Sequence, residues 1–182
     1  MPRRKERPLL TYVLDSREQR GYEGLAAPDP KLFDDGGFYY DGLDAGDITC
    51  EVDCVRQPVI IERKQMGDFY GCCRHDKGCD HYHLGNDPKC GARCRFEREL
   101  ARLAAYQQVD IIIEAPMALL YKGFERSDMN GLAVVNSMPH WRTLFRNIHF
   151  WTVTNRVEGQ KFARTIIHEF CKHALALNPS EI

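Results

Sequence analysis

Leu43-Asp44-Ala45-Gly46-Asp47-Ile48-Thr49, a polar turn, Val59-Ile60-Ile61-Glu62-Arg63-Lys64, and then Asp68: the rest of the chain is read outward from this stretch. Asp47 stands in a tight Gly-Asp turn that opens one apolar segment. Glu62 and Lys64 close the next apolar run, two residues apart. Residues two apart on a strand point to the same face. An acid and a lysine therefore emerge side by side at the end of a buried strand, and the preceding hairpin returns a second acid to them. Two carboxylates can hold a divalent cation, with water and a phosphate oxygen in its remaining positions. A lysine beside them can orient the attacking water or help deprotonate it. The outline is that of a site that hydrolyses phosphodiesters.

Upstream, Leu9 to Leu14 is an apolar, partly β-branched and aromatic run after a proline, and reads as a buried strand. It ends in Asp15-Ser16-Arg17-Glu18. Acids at the C-terminal end of a strand sit where open α/β sheets place ligands; capping of a helix by Asp15 or Ser16 is the alternative. Residues 21–37 are rich in Gly, Pro and Asp and read as a loop. Phe38-Tyr39-Tyr40 begins a strand that runs into the Gly46-Asp47 turn, with Ile48 to Val52 as its hairpin partner. Arg56-Gln57-Pro58 turns into the strand Val59 to Ile61. The expectation is an antiparallel meander.

Downstream, Met66 to Tyr70 starts a helix that the segment from Gly71 to Cys94 interrupts. From Arg95 an amphipathic helix carries Phe96, Leu100, Leu103 and Ala104 on one stripe. Val109 to Glu114 is the next strand, and its apolar run suits a central parallel position. Residues 116–136 give no clear pattern. Ser137 before Pro139 is expected to cap a helix through Arg146. Ile148 to Val153 is the last strand. Thr154 or Asn155 then caps a helix with Phe162, Ile166, Phe170 and Ala174 on one stripe. The fold class is α/β, a mixed sheet flanked by helices with its acids at one end.

The 182 residues suit one domain with a real core. A net charge of -1 sets up no global basic field. Arg3, Arg4, Lys5 and Arg7 form a local basic arm, suited to phosphate contact or to a solvated tail. There is no secretory signal and no apolar run long enough to span a bilayer. The expected location is intracellular, in cytoplasm or nucleus, where thiols stay reduced. Eight cysteines in such a chain point toward metal.

The order Gly46-Asp47, Glu62-Arg63-Lys64, Asp68 resembles the GD…ERKxxxD signature of the XPF nuclease family, structure-specific DNA endonucleases of the XPF, Mus and Hef type. Asp15-Ser16-Arg17-Glu18 looks like the family's upstream D-x-x-E element, and Arg95-Phe96 like its Gly-Arg-Phe/Leu segment. The resemblance covers about Leu9 to Ala174. It implies a restriction-endonuclease-like fold and DNA cleavage dependent on Mg2+ or Mn2+, with branched or flap DNA as the substrate. Carried over by position, Asp15, Glu18, Asp47 and Glu62 would form the acidic metal shell, with the Arg63 carbonyl as a further ligand. Lys64 would orient the water and stabilise charge on the phosphate. Arg17, Arg63 and Arg95 would hold phosphates of the DNA. Asp68 would support Arg63 or Lys64, or cap the helix.

The sequence departs from the family at Gly71 to Cys94, which carries five cysteines and three histidines in polar surroundings. Cys90-x-x-x-Cys94 has spacing compatible with one tetrahedral zinc, and Cys79 with Cys72 or Cys73 supplies the other half. The preferred set is Cys73, Cys79, Cys90 and Cys94, with Cys72, His75, His81 and His83 as substitutes. Such a zinc would be structural, because thiolates leave no open position, and would staple a long polar loop. Cys50, Cys54 and Cys171 lie outside this cluster; Cys50 and Cys54 read as half-buried strand cysteines in preference to an extension of a metal site. The expected organisation is a basic arm over 1–8, a nuclease domain over 9–176 with the zinc-binding insertion at 71–94, and a tail over 177–182.

Family relatives add helix-hairpin-helix modules after this domain. Without them, DNA affinity would come from the nuclease surface, the arm, the insert, a homodimer, or a heterodimer with a DNA-binding subunit. The competing class is a non-catalytic, zinc-stabilised DNA-binding or scaffold protein of the same fold.

Overall fold

The computed structural model describes residues 7–17, 33–74 and 92–177. In chain order the elements are β1 (Leu9–Asp15), β2 (Asp34–Asp41), β3 (Ile48–Val52), β4 (Val55–Arg56), β5 (Val59–Lys64), α1 (Met66–Cys73), α2 (Ala92–Leu103), β6 (Gln108–Ile113), α3 (Met117–Lys122), α4 (Gly131–Leu144), β7 (Ile148–Thr152) and α5 (Arg156–Leu177). Among the described residues the sheet has seven strands, in the order β2-β1-β3-β5-β6-β7, with β4 paired to β3. It is a mixed α/β sheet flanked by helices. No helix among the described residues is long and apolar enough to cross a membrane. The chain falls into two compact units, Met1–Ile61 with Gln160–Ile182, and Glu62–Gly159.

In the first unit β1 is the hub. Leu10, Val13 and Leu14 are buried, and β1 uses both of its edges. It pairs with β3 antiparallel, Leu14 opposite Ile48, and with β2 parallel, Asp15 opposite Asp41. This corrects the expected meander: β2 is no hairpin partner of β3 but lies on the far side of β1. Adjacency in sequence does not ensure pairing here, because the apolar β1 takes the central place. The wetter β2, with Phe38 42% and Tyr40 43% exposed, goes to the edge. The β1–β2 register shifts between Leu10 and Tyr12, where Gly36 and Gly37 supply a bulge. A Cβ on Gly36 would lie 2.1 Å from Thr11 Oγ1. β3 turns into β4 through Asp53 and Cys54, both at positive φ (52° and 64°), the geometry of a two-residue hairpin turn. Cys54 is therefore an exposed turn residue rather than a half-buried strand one, whereas Cys50 is buried.

α5 closes this unit. Its buried line runs through Ala163, Ile167 and Cys171; of the expected stripe Ile166 is buried, whereas Phe162, Phe170 and Ala174 are only half-buried. The Cys171 Sγ lies 3.6 Å from Cys50 Sγ. His168 Nε2 and the Tyr12 hydroxyl are hydrogen-bonded at 3.0 Å, and their rings stack.

In the second unit β6 and β7 run parallel in register, Val109 opposite Ile148 through Ile113 opposite Thr152, as the apolar run at Val109 to Ile113 suggests. The core is aromatic. Trp141 meets Phe96 edge-on at 4.9 Å and stacks on Phe150 at 5.8 Å, with Phe69 beside both. The stripe of α2 is as expected at Phe96, Leu100 and Leu103, which are buried, whereas Ala104 lies just past the helix end and is half-buried. α4 begins earlier than expected. Asn130, not Ser137, caps it by accepting a hydrogen bond from the Leu132 N–H. Ser137 sits inside the helix, donating to the Ala133 carbonyl one turn back, and Pro139 lies within the helix too. At α5 the expected cap is present. Asn155 accepts from the Glu158 N–H, and the Glu158 carboxylate reaches back to the Thr154 N–H. Of the sequence expectations, Arg3, Arg4, Lys5, Glu18, His75, Cys79, His81, His83 and Cys90 lie outside the described residues, as does the side chain of Cys94.

Candidate active site

In the first unit two carboxylates are set by backbone bonds. Asp15 ends β1, and Asp47 precedes β3. The Asp15 N–H donates to the Asp47 carbonyl, and the Asp47 N–H donates to the Ile61 carbonyl, both at 2.8 Å. Asp15 is 4% and Asp47 9% exposed. Gly46 makes the second bond possible. Its φ is +75°, and a Cβ there would stand 2.4 Å from Ile60 Cγ1. Only glycine fits a turn that is both left-handed and pressed on a buried strand.

Asp15 is already engaged. Arg17 Nε donates to both carboxylate oxygens at 3.0 and 2.9 Å, and Nη2 lies 2.7 Å from Oδ2. The Arg17 N–H adds a bond at 3.1 Å, and the guanidinium also donates to the Leu43 carbonyl. Burial alone would raise the Asp15 pKa; the bonds and charge of Arg17 more than reverse this and hold it below the ordinary carboxylate range. The sequence alternative for Asp15, a helix cap, turns on residues from Glu18 onward, which lie outside the described residues.

In the second unit the alternation of β5 sorts three charged residues in a row. Glu62 and Lys64 share one face, and Lys64 Nζ lies 2.5 Å from Glu62 Oε1. Nζ also donates to Glu99 Oε1 at 3.1 Å and stands 5.4 Å from the centre of the Phe96 ring. Glu62 is 5% exposed. Burial works to lower the Lys64 pKa, but the charges of Glu62 and Glu99 outweigh it and keep the amine protonated. The neighbouring Cys72 thiol is pushed up to about 12, chiefly by burial.

Arg63 points to the other face and is not left for phosphate. Its Nε and Nη2 both donate to Glu114 Oε1, at 3.0 and 2.9 Å. This corrects two expectations. The Arg63 guanidinium is buried in an ion pair, and the supporting acids are Glu114 for Arg63 and Glu99 for Lys64 rather than Asp68. Asp68 is exposed on the first turn of α1, where a negative charge suits the helix N-terminus. Arg95 is exposed on α2.

Sequence reasoning missed Glu99 as a partner of Lys64. The available signal was its position three residues after Phe96, on the flank of the buried stripe. Glu114 was legible as a strand end but not as the partner of Arg63. Cys73 is fully buried, its Sγ 4.0 Å from the Val134 carbonyl. Among the described residues, no group of three or more His, Cys, Asp or Glu side chains is gathered closely enough to hold a metal ion. Asp15 and Glu62 are instead each turned onto a cation of the chain itself.

The sheet order and flanking helices superpose on a solved structure, XPF from Aeropyrum pernix, with a TM-score of 0.54. The fold is XPF-like. The match covers 90% of this chain and 61% of the XPF chain, at 18% sequence identity, so the chain spans about three-fifths of that structure's length. No family model and no curated protein matches the sequence. On the XPF-like fold, Asp15 closes one strand and Glu62 with Lys64 another.

Proposed function

We propose that the chain is an endodeoxyribonuclease dependent on Mg2+ or Mn2+, cutting phosphodiester bonds in branched or flap DNA. The observation that carries the reading is the Glu62–Lys64 pair, an acid and a charged lysine joined on one face at a strand end of an XPF-like sheet. The choice of branched or flap DNA rests on the family resemblance alone.

Asp15, Asp47 and Glu62, with Glu18, would hold the metal. These are oxygen donors only, which suits a hard cation. The burial of Asp15, Asp47 and Glu62 favours a bound cation, because a buried carboxylate gains from a positive partner. When bound, the metal supplies positive charge that polarises the phosphodiester and acidifies a water. Lys64, kept protonated, acts as a charge and hydrogen-bond donor rather than as a base. It orients the attacking water and stabilises negative charge on the phosphate as the P–O bond breaks. Arg17 and Arg95 hold neighbouring phosphates. Arg63 contributes at most its carbonyl, since its guanidinium belongs to Glu114. A structural zinc on Cys73, Cys79, Cys90 and Cys94 braces the insertion, with Cys72, His75, His81 and His83 as substitute ligands. The protein works inside the cell, as a homodimer or with a DNA-binding subunit.

The test is cleavage of labelled duplex, flap, splayed-arm and four-way-junction DNAs with Mg2+, Mn2+ or EDTA, with Glu62→Ala and Lys64→Ala proteins alongside. Cleavage that needs metal, Glu62 and Lys64 is expected. Cleavage that survives either substitution in a folded protein overturns the mechanism. DNA binding without cleavage replaces it with the non-catalytic reading.

A further inference from the structure

We infer that Glu99 is the positioning residue for Lys64: it supplies a hydrogen-bond acceptor for the ammonium that is separate from Glu62. The inference deepens the nuclease reading above and rests on it.

Lys64 is held from three directions. Glu62 Oε1 is 2.5 Å from Nζ, Glu99 Oε1 3.1 Å, and the Phe96 ring centre 5.4 Å. Two of these three come from a single turn of α2. Phe96 is on the buried stripe, and Glu99 is three residues on, with its side chain 26% exposed. The turn that anchors α2 in the aromatic core thus also delivers the second acceptor. Anchoring through Phe96, which also packs on Trp141, makes that acceptor a stiff one.

The need for it lies in the double duty of Glu62. In the nuclease reading the Glu62 carboxylate would serve a divalent cation as well as Lys64. A cation draws electron density from the carboxylate and repels the ammonium beside it. A lysine has a flexible four-carbon stem and loses much rotamer freedom when fixed. With Glu62 as its sole acceptor it would leave its place at the moment of catalysis. Glu99 offers an acceptor on another element, so the ammonium stays put. The other acids near these elements have different roles: Glu97 accepts from the Trp141 indole N–H at 3.1 Å, and Glu114 binds Arg63.

The experiment compares steady-state cleavage by wild type, Glu99→Ala and Glu99→Gln at saturating Mg2+, with Tm measured for each. Glu99→Ala is expected to lower kcat by about tenfold to a hundredfold, the scale of a misplaced catalytic group, with KM for DNA unchanged within about twofold. Glu99→Gln keeps an amide oxygen at the same reach and should recover kcat to within about threefold of wild type. If Glu99→Ala lowers Tm markedly, Glu99→Met, with similar length and helix propensity, takes its place. Wild-type kcat in the Ala or Met variant overturns the inference. So does a Gln variant as slow as Ala, which would make charge rather than position the cause. Recovery of the Ala variant by more Mg2+ also overturns it, by making Glu99 a metal ligand. In each of those results the wild type still cuts, so the nuclease reading survives. Absence of cleavage by wild type removes both.

Discussion

Arg63 and Glu114 form a buried ion pair, with side chains only 6% and 7% exposed and Nη2 2.9 Å from Oε1. Removing one member takes from the other its buried counter-charge. Glu114→Ala is therefore expected to cost about 3–5 kcal/mol, whereas the double change Arg63→Met with Glu114→Leu costs less. Urea melts of the three proteins check the order. A single variant as stable as wild type would show that the pair carries no such weight.

Gly46 sits where a side chain has neither a permitted backbone nor space. Gly46→Ala is expected to lose about 1–3 kcal/mol from the positive φ alone, and more from the contact with Ile60. Because the Asp47 N–H bond to Ile61 starts at this turn, cleavage should fall together with Tm. A Tm within a degree of wild type would refute the account of the turn.

Asp15 makes stability depend on acid through Arg17. Its folded pKa lies below the unfolded one, so its contribution is present above about pH 4 and is lost as pH falls through the folded value. Arg17→Ala removes most of that dependence. Stability curves of wild type and variant should separate above about pH 4 and converge below it. Parallel curves across the acid range would rule out the linkage.

Asp110 gives the opposite slope. It is 1% exposed, and burial raises its pKa despite bonds from Gln108 Nε2 at 2.8 Å and Trp151 Nε1 at 2.6 Å. A raised folded pKa contributes stability below the unfolded value of about 4 that is lost as pH rises through the folded one. The stability of wild type relative to Asp110→Asn should therefore decline as pH rises above about 4, with a slope of at most about 1.4 kcal/mol per pH unit. Denaturant melts at a series of pH values on both sides of about 4 measure it, and a pH-independent difference is the contrary result.

The zinc expectation is checked by metal analysis of protein prepared in reducing, chelator-free buffer. About one zinc per chain is expected, with its loss in a Cys90→Ser, Cys94→Ser double variant and a lower Tm. Protein that is folded and free of zinc removes the ion from the account.

Strands whose patterns reflect burial were legible in the sequence. β1, β5 and β6 are apolar runs with acids at their ends, and all three occur where the pattern places them. The stripe of α2 and the cap of α5 were readable for the same local reasons. Pairing was not. Phe38-Tyr39-Tyr40 looks the same whether its neighbour is β1 or β3, and the choice is made by which strand is buried on both edges. Ser137 and Pro139 mimic a helix start, yet Asn130 already opens the helix, and the packed Trp141 lies beyond the proline. At the site, Glu62 and Lys64 share a face by strand period. Glu99 and Glu114 arrive from other elements, and no local pattern announces that.

The unit that holds Asp15 and Asp47 is assembled from two distant stretches of chain, residues up to Ile61 and from Gln160 onward. On the ribosome, the strands are made well before the helix that closes them. At ordinary synthesis rates the gap is on the order of ten seconds. During that time β1 and β3 exist without His168 or Cys171, presenting apolar strands to solvent. A chaperone-free translation system should accordingly yield less soluble protein than one with holdases, and a circular permutant that places α5 ahead of β1 should escape the difference.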